Sequence, residues 1–141
     1  MKTITCAVLL ALAAAPLTAQ SLEVGSEPAN FVCRNWLNPG TFDNFDELKG
    51  DVVVITSWGI SSSSSMDRVR EVAKLQDSPG LHIITFYEQS HQLDAIQKAL
   101  NEMKAKFPVA FDGFREAGYE VEALPHTWVV GIDGKIIFSG T

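Results

Sequence analysis

The stretch from Val52 to Met66 reads Val-Val-Val-Ile-Thr-Ser-Trp-Gly-Ile-Ser-Ser-Ser-Ser-Ser-Met. Its first half is rich in β-branched residues and too short for a helix of its own, which predicts a buried strand. From Met66 onward, apolar residues recur at helical spacing, at Val69, Val72 and Leu75, which predicts a helix packed on a sheet. The serines in between therefore lie where a strand turns into a helix, and the exposed N–H groups of a helix start favour ligand binding there.

The rest of the chain alternates between strand-like and helix-like segments. Besides Val52–Ser57, strands are predicted at Leu81–Tyr87, Thr127–Ile132 and Lys135–Phe138, and Asp133-Gly134 is a strong turn signal between the last two. Helices are predicted after Ser65 and from about Ser90, whose hydroxyl can cap the second one. The apolar stripe of that second helix consists of Leu93, Ile96, Leu100, Met103 and Phe107. Such alternation predicts an α/β fold with a central sheet.

The first 19 residues have the composition of a secretory signal. Lys2 provides the basic start, an alanine- and leucine-rich core follows, and small residues lead to a predicted cleavage after Ala19. The apolar core is too short to span a bilayer. The sequence therefore predicts an exported protein, periplasmic or extracellular, with no membrane span after signal removal and a single domain over residues 24–141.

Charge and cysteine usage narrow the choice of partners. Loss of Lys2 changes the formal net charge from −6 to −7, because all 17 acidic residues lie beyond the signal. Nucleic acid is a poor partner for such a surface.

Cys33 becomes the sole thiol, which excludes an intramolecular disulfide. His82, His91 and His126 are scattered without ligand-like spacing, so neither a metal nor another cofactor is predicted.

The Val52–Met66 segment resembles the active-site segment of the thioredoxin-like superfamily, in particular the exported redoxins of the TlpA and thiol-specific-antioxidant type. In that branch the segment usually reads Val-Val-Val-x-x-x-Trp-Gly-Thr-Trp-Cys-x-x-Cys. This pattern aligns the two redox cysteines with Ser62 and Ser65. The alternative register, with Trp58 next to the motif, aligns them with Gly59 and Ser62. Neither register supplies a thiol.

The resemblance implies a thioredoxin-like three-layer fold, with a central mixed sheet flanked by helices. The family's closing helix is expected to be missing, because the chain stops at Thr141 directly after the hairpin. Pro125 matches the proline that the family holds in cis opposite the active-site helix, where it shapes a groove for an extended peptide. The groove residues implied in this way are Trp58, Ser61, Ser62, Ser63, Ser64, Ser65, Leu124 and Pro125.

A serine at either cysteine position cannot carry the family's redox cycle, because its hydroxyl stays protonated and forms no disulfide. We therefore expect no catalytic residue among Ser61–Ser65, which we call the serine corner. These serines are expected either to cap the helix or to bind a peptide backbone or small anion with the helix N–H groups. The resulting hypothesis is a redox-inactive binding module for an extended peptide or a protein partner, with self-association as a further option.

Three alternatives stay open at this stage. The first is a thiol-disulfide oxidoreductase or antioxidant protein that uses Cys33 or a thiol of a partner, although free cysteines are usually buried and inert. The second is a hydrolase with Ser62 as nucleophile and His126 as base, which requires the two groups to be within hydrogen-bonding distance. The third is an engineered replacement of cysteine by serine.

Overall fold

The computed structural model describes residues 22–40, 42, 44–88 and 92–141. The predicted signal, residues 1–19, lies outside this part of the chain. So do Ser90, the expected cap of the second helix, and His91. Among the described residues, no helix has both the length and the apolar character needed to cross a membrane.

A mixed sheet of six strands forms the centre of the described chain, in the order β1-β4-β3-β2-β5-β6. The pairs β2–β3 and β3–β4 are parallel, and the other three pairs are antiparallel. The helices are α1, Ser63–Ala73, and α2, Leu93–Glu102, and a 3-10 helix spans Phe45–Leu48. The strands are β1, Trp36–Leu37; β2, Val52–Trp58; β3, Leu81–Tyr87; β4, Val109–Ala110; β5, His126–Val130; and β6, Ile136–Gly140.

Strand β2 divides the core into two halves, because successive side chains of a strand point to opposite faces. Val53 and Ile55 join the cluster that packs against the 3-10 helix and the N-terminal segment. Val54 and Trp58 join the cluster that contains Val69 of α1 and residues of α2. Both α-helices therefore cover one face of the sheet, and the 3-10 helix and irregular segments cover the other.

The strand predictions are confirmed in position and shifted at their ends. Leu81–Tyr87 is a strand as predicted, and β2 continues one residue past Ser57 to Trp58. The two hairpin strands differ from the prediction at the turn. Strand β5 ends at Val130, before its predicted end at Ile132, and β6 begins at Ile136, after its predicted start at Lys135. Backbone bonds close the turn between them, from Gly131 N–H to Lys135 O at 2.8 Å and from Gly134 N–H to Gly131 O at 2.9 Å.

Two helix predictions need correction. Helix α1 begins at Ser63, three residues before the predicted start at Met66, and Leu75 lies beyond its end with 45% of its surface exposed. Helix α2 begins at Leu93, and its N-cap residue Gln92 makes no side-chain capping bond. Leu93 is 57% exposed and therefore does not belong to the buried stripe, in which Ile96 and Leu100 are fully buried. Phe107 is buried but lies after the helix.

Candidate binding site at the serine corner

Ser62 is the N-cap of α1. Its Oγ accepts a hydrogen bond from the Ser65 N–H at 3.2 Å and lies 3.0 Å from the Ser64 Oγ. Its backbone is extended, with φ −105° and ψ 116°, so the helix begins at the next residue. Capping by a serine satisfies one of the N–H groups that a helix start leaves without a partner. The predicted capping role of the corner is thus confirmed for Ser62.

The two serines that the sequence resemblance aligns with the redoxin cysteines differ in exposure. Ser62 is half-buried, whereas Ser65 is fully buried and its Oγ has no hydrogen-bond partner among the described residues. Ser61, Ser63 and Ser64 are exposed. A buried hydroxyl without a partner costs roughly 1–3 kcal/mol. The corner therefore presents one accessible hydroxyl at the helix start and holds a second one in the protein interior.

The prediction that Trp58 lines the groove is wrong. Its side chain is 0% exposed and packs edge-on against Tyr87, with ring centroids 5.0 Å apart. Its Nε1 has no hydrogen-bond partner among the described residues. Trp58 lies at the carboxyl end of a strand that is buried on both faces, so it supports the corner from the core and has no surface to offer a ligand.

The proline loop lies beside the corner. The peptide bond between Leu124 and Pro125 is cis, Pro125 is buried and Leu124 is half-buried. The next residue, His126, pairs with Ser57 in the antiparallel ladder between β5 and β2. Since Ser57 is followed by Trp58 and the serines, this register brings the proline loop to the end of β2 at which the corner begins.

Arg68 ties α1 to the sheet, a contact that sequence reasoning missed. Its Nη1 donates to Thr127 Oγ1 at 2.8 Å, and that oxygen lies 3.2 Å from Thr56 Oγ1. Both threonines are buried, on β5 and β2. One signal was available, because Arg68 is four residues before Val72 and is therefore its neighbour on the predicted apolar side of α1.

A second network, also missed, holds the carboxyl ends of β2 and β3 together. The Glu88 carboxylate accepts from Ser57 Oγ at 2.6 Å and from Arg115 Nε and Nη2 at 3.0 and 2.7 Å. The Glu88 N–H donates to Trp58 O at 3.0 Å. The Glu88 side chain is 12% exposed, so these are charge-assisted bonds in a largely dry environment. They fix the strand end from which the corner departs.

The Ser62–His126 pair that the hydrolase alternative requires does not form among the described residues. The His126 ring lies on the face of β5 that also carries Trp128, 4.4 Å from that ring by centroids, and its Nε2 bonds the Ser139 Oγ at 3.0 Å. Burial and the nearby Arg68 charge lower the pKa of His126. Among the described residues, the Ser62 hydroxyl bonds only within the corner. A nucleophile and its base need a direct hydrogen bond, which the described residues do not provide here.

Cys33 lies apart from the corner. It packs against the core half that contains the 3-10 helix, on the face of the sheet opposite to α1. Its Sγ donates to Asn35 O at 3.1 Å. Burial, followed by the hydrogen bond to the Asp112 carboxylate, raises the pKa of the thiol. Within the described part of the chain, no cluster of three or more histidine, cysteine, aspartate or glutamate side chains could hold a metal ion.

Comparison with solved structures identifies the fold as thioredoxin-like. One similar structure is a thiol:disulfide interchange protein of the thioredoxin family from Chlorobium tepidum, with TM-score 0.66, 15% identity, and coverage of 80% of this chain and 83% of that one. Another is the thioredoxin domain of a thiol-disulfide oxidoreductase from Bacteroides vulgatus, with TM-score 0.61, 19% identity, and coverage of 84% and 89%. A third is a secreted thiol-disulfide isomerase from Corynebacterium glutamicum, with TM-score 0.57, 14% identity, and coverage of 82% and 75%.

No family model matches the sequence, and no curated protein does. The structures are less than 25% identical to this chain, so the likeness concerns the fold. It confirms the predicted α/β class and the predicted thioredoxin-like fold.

Proposed function

We propose that this chain is an exported protein of thioredoxin fold that has lost dithiol chemistry and binds an extended peptide or a protein partner at the serine corner. The observation that carries the proposal is the arrangement of Ser62 and Ser65. One is half-buried at the helix start and the other is buried one turn below it. In the resemblance to redoxins these are the positions of the two cysteines, and a serine there cannot form a disulfide.

Binding needs an accessible surface and directed donors, and the corner supports both. The start of α1 has the positive end of the helix dipole, and Ser61, Ser63 and Ser64 are exposed around it. The half-buried Leu124 and the cis proline lie on the neighbouring strand entry. An extended peptide would lie between these two segments, with its carbonyl groups toward the helix start.

The proposed location outside the cytoplasm has two supports. The first 19 residues have the pattern of a secretory signal. One protein of similar fold is described as secreted. A fusion of residues 1–30 to a reporter that folds only after export would test this part alone.

The competing function is thiol-disulfide exchange or peroxide reduction through Cys33. Its support is that the similar solved structures are described as thiol-disulfide oxidoreductases and isomerases. The environment of Cys33 argues against it, because the thiol is desolvated and beside a carboxylate, and both effects disfavour the reactive thiolate.

Two assays on the purified protein separate these functions. Insulin reduction and peroxide consumption should both be at background, and Cys33→Ser should leave them unchanged. Fluorescence anisotropy with a labelled, extended peptide mixture should show binding that Ser62→Arg weakens, whereas Ser78→Arg, at an exposed serine away from the corner, should not. Catalytic turnover abolished by Cys33→Ser would overturn the proposal in favour of the competing function. Light scattering shows whether a second copy is the partner.

A further inference from the structure

A cavity on the far side of the sheet from α1 is unrelated to the serine corner. Its volume is about 660 Å³, within the range of roughly 300–1,000 Å³ that small-molecule sites occupy. Phe31 and Ala117 of its lining pack against the core half that contains the 3-10 helix. The lining consists of Asn30–Val32, Arg34, Asn44, Asp112, Gly113, Glu116 and Ala117.

The two walls of the cavity are locked to each other. The Asp112 carboxylate accepts from the Arg34 N–H at 2.8 Å and from the Asn35 side-chain amide at 2.5 Å. Gly113 has φ +80°, and a Cβ at this position would lie 1.8 Å from the Val32 carbonyl oxygen. The N-terminal segment and the turn after β4 therefore meet backbone to backbone, and this contact joins the two walls of what is an open groove.

Two opposite charges line this cavity and have no partner among the described residues. Neither the Arg34 guanidinium nor the Glu116 carboxylate forms an ion pair or a hydrogen bond with another described residue, and they do not pair with each other. The remaining acid, Asp112, is already used by the backbone and side-chain N–H groups opposite to it. Within the described part of the chain, one cation and one anion of the lining are thus available to an external ligand.

Part of the lining is apolar. Phe31 and Ala117 contribute, and so does Val32, which is 78% exposed and is therefore an unusually open aliphatic side chain. We propose that this cavity binds a small zwitterion, an α-amino acid with an apolar side chain. Its carboxylate pairs with Arg34, its ammonium group pairs with Glu116, and its side chain covers Val32 and Phe31.

The charge arrangement disfavours other classes of ligand. A dianion would bring one of its charges toward Glu116 and Asp112, and a dication would bring one toward Arg34. An uncharged apolar ligand would leave both charges partly desolvated without a partner, which is costly. A zwitterion satisfies both walls at once, and bidentate pairing of arginine with a carboxylate fixes its orientation.

The test is isothermal titration of the purified protein with L-leucine, leucinamide and N-acetylleucine. We expect leucine to bind, and each analogue, which lacks one of the two charges, to bind at least about tenfold more weakly. Arg34→Gln and Glu116→Gln should each weaken leucine binding by a similar factor. Glu120→Gln, at an exposed acid outside the lining, should leave it within about twofold.

Because both side chains are exposed and unpaired, the two variants should melt at the temperature of the unmodified protein. The analogues test the same charges without any substitution. The proposal fails if leucine gives no binding heat up to about 10 mM, a limit for weak sites. It fails equally if leucinamide or N-acetylleucine binds as well as leucine, or if both variants bind leucine normally. None of these outcomes depends on peptide binding at the serine corner.

Discussion

The serine corner and the irregular segment around Cys33, which we call the Cys33 loop, differ in the two properties that make a reactive thiol. The corner lies at a helix start, whose dipole and N–H groups stabilise an anion, but its side chains carry hydroxyls and no thiol. The loop has the thiol, but it adds burial and the Asp112 carboxylate, and both raise the pKa of Cys33. Reactivity therefore depends on where the sulfur is placed, and in this chain the activating field and the sulfur are on opposite faces of the sheet.

The largest expected effect is the gain of dithiol exchange in Ser62→Cys with Ser65→Cys. Restored cysteines would lie at a helix start, where a thiol pKa of about 7 is typical of thioredoxin. Insulin reduction should rise from background to a measurable rate in the Cys33→Ser background. The matched control is Ser63→Cys with Ser64→Cys, which adds the same number of thiols at exposed positions and should stay near background. Equal rates of insulin reduction in the two double variants would show that the positions of Ser62 and Ser65 give no advantage in dithiol exchange.

The next effect concerns the network below the corner. Glu88→Gln should lower the free energy of unfolding by about 2 kcal/mol, because the largely buried carboxylate accepts charge-assisted bonds from Arg115 and a bond from Ser57. Urea denaturation measures this. Glu71→Gln, which breaks an exposed pair with Lys74, should cost less than about 0.5 kcal/mol. Similar losses in the two variants would mean that the Glu88 network is no more than a surface ion pair.

A smaller effect separates the two thiol positions directly. At pH 7, iodoacetamide should alkylate Cys33 about tenfold more slowly than it alkylates Ser62→Cys in the Cys33→Ser background. The lower thiol pKa at the corner raises the thiolate fraction more than tenfold. It also lowers the intrinsic nucleophilicity of the thiolate, which reduces the difference between the two rates. The Cys33 rate should keep rising with pH to above its ordinary pKa, since burial and Asp112 raise that value. A plateau near neutral pH would contradict this account of the loop.

The smallest effect tests the buried hydroxyl. Ser65→Ala should raise the free energy of unfolding by about 1 kcal/mol, because it removes an oxygen that has no partner in the described structure. Ser62→Ala should lower it by about 1 kcal/mol, because the helix loses its cap. In thermal and urea unfolding, the two variants should therefore change the free energy of unfolding in opposite directions. A loss in both would mean that Ser65 has a partner after all.

The sequence predicts the fold well because its signals are local. The β-branched run at β2, the Asp133-Gly134 turn and the buried Val69 and Val72 of α1 each follow from residue type and spacing. The polar contacts of the site do not, because their partners are distant in the chain. Arg68 and Thr127 are 59 positions apart, and Ser57 and Glu88 are 31 apart. Only the register of the folded sheet brings such pairs together.

Trp58 illustrates the same limit for burial. A tryptophan beside a candidate site has a sequence pattern compatible with ligand contact. Trp58 is buried because Tyr87, at the end of the neighbouring strand, packs against it. The resemblance to redoxins locates the corner along the chain, but only packing decides which of its side chains reach the surface.

The position of β5 in the sheet has a consequence for how the chain acquires its fold. This strand lies between β2 and β6, and its Thr127 meets Thr56 across 71 positions of sequence. The sheet cannot be completed until nearly the whole polypeptide is available, and long-range pairing of this kind slows folding. A nascent chain would thus stay open through most of its synthesis. Such a delay would suit the export proposed above, because a polypeptide crosses a translocation pore before it becomes compact.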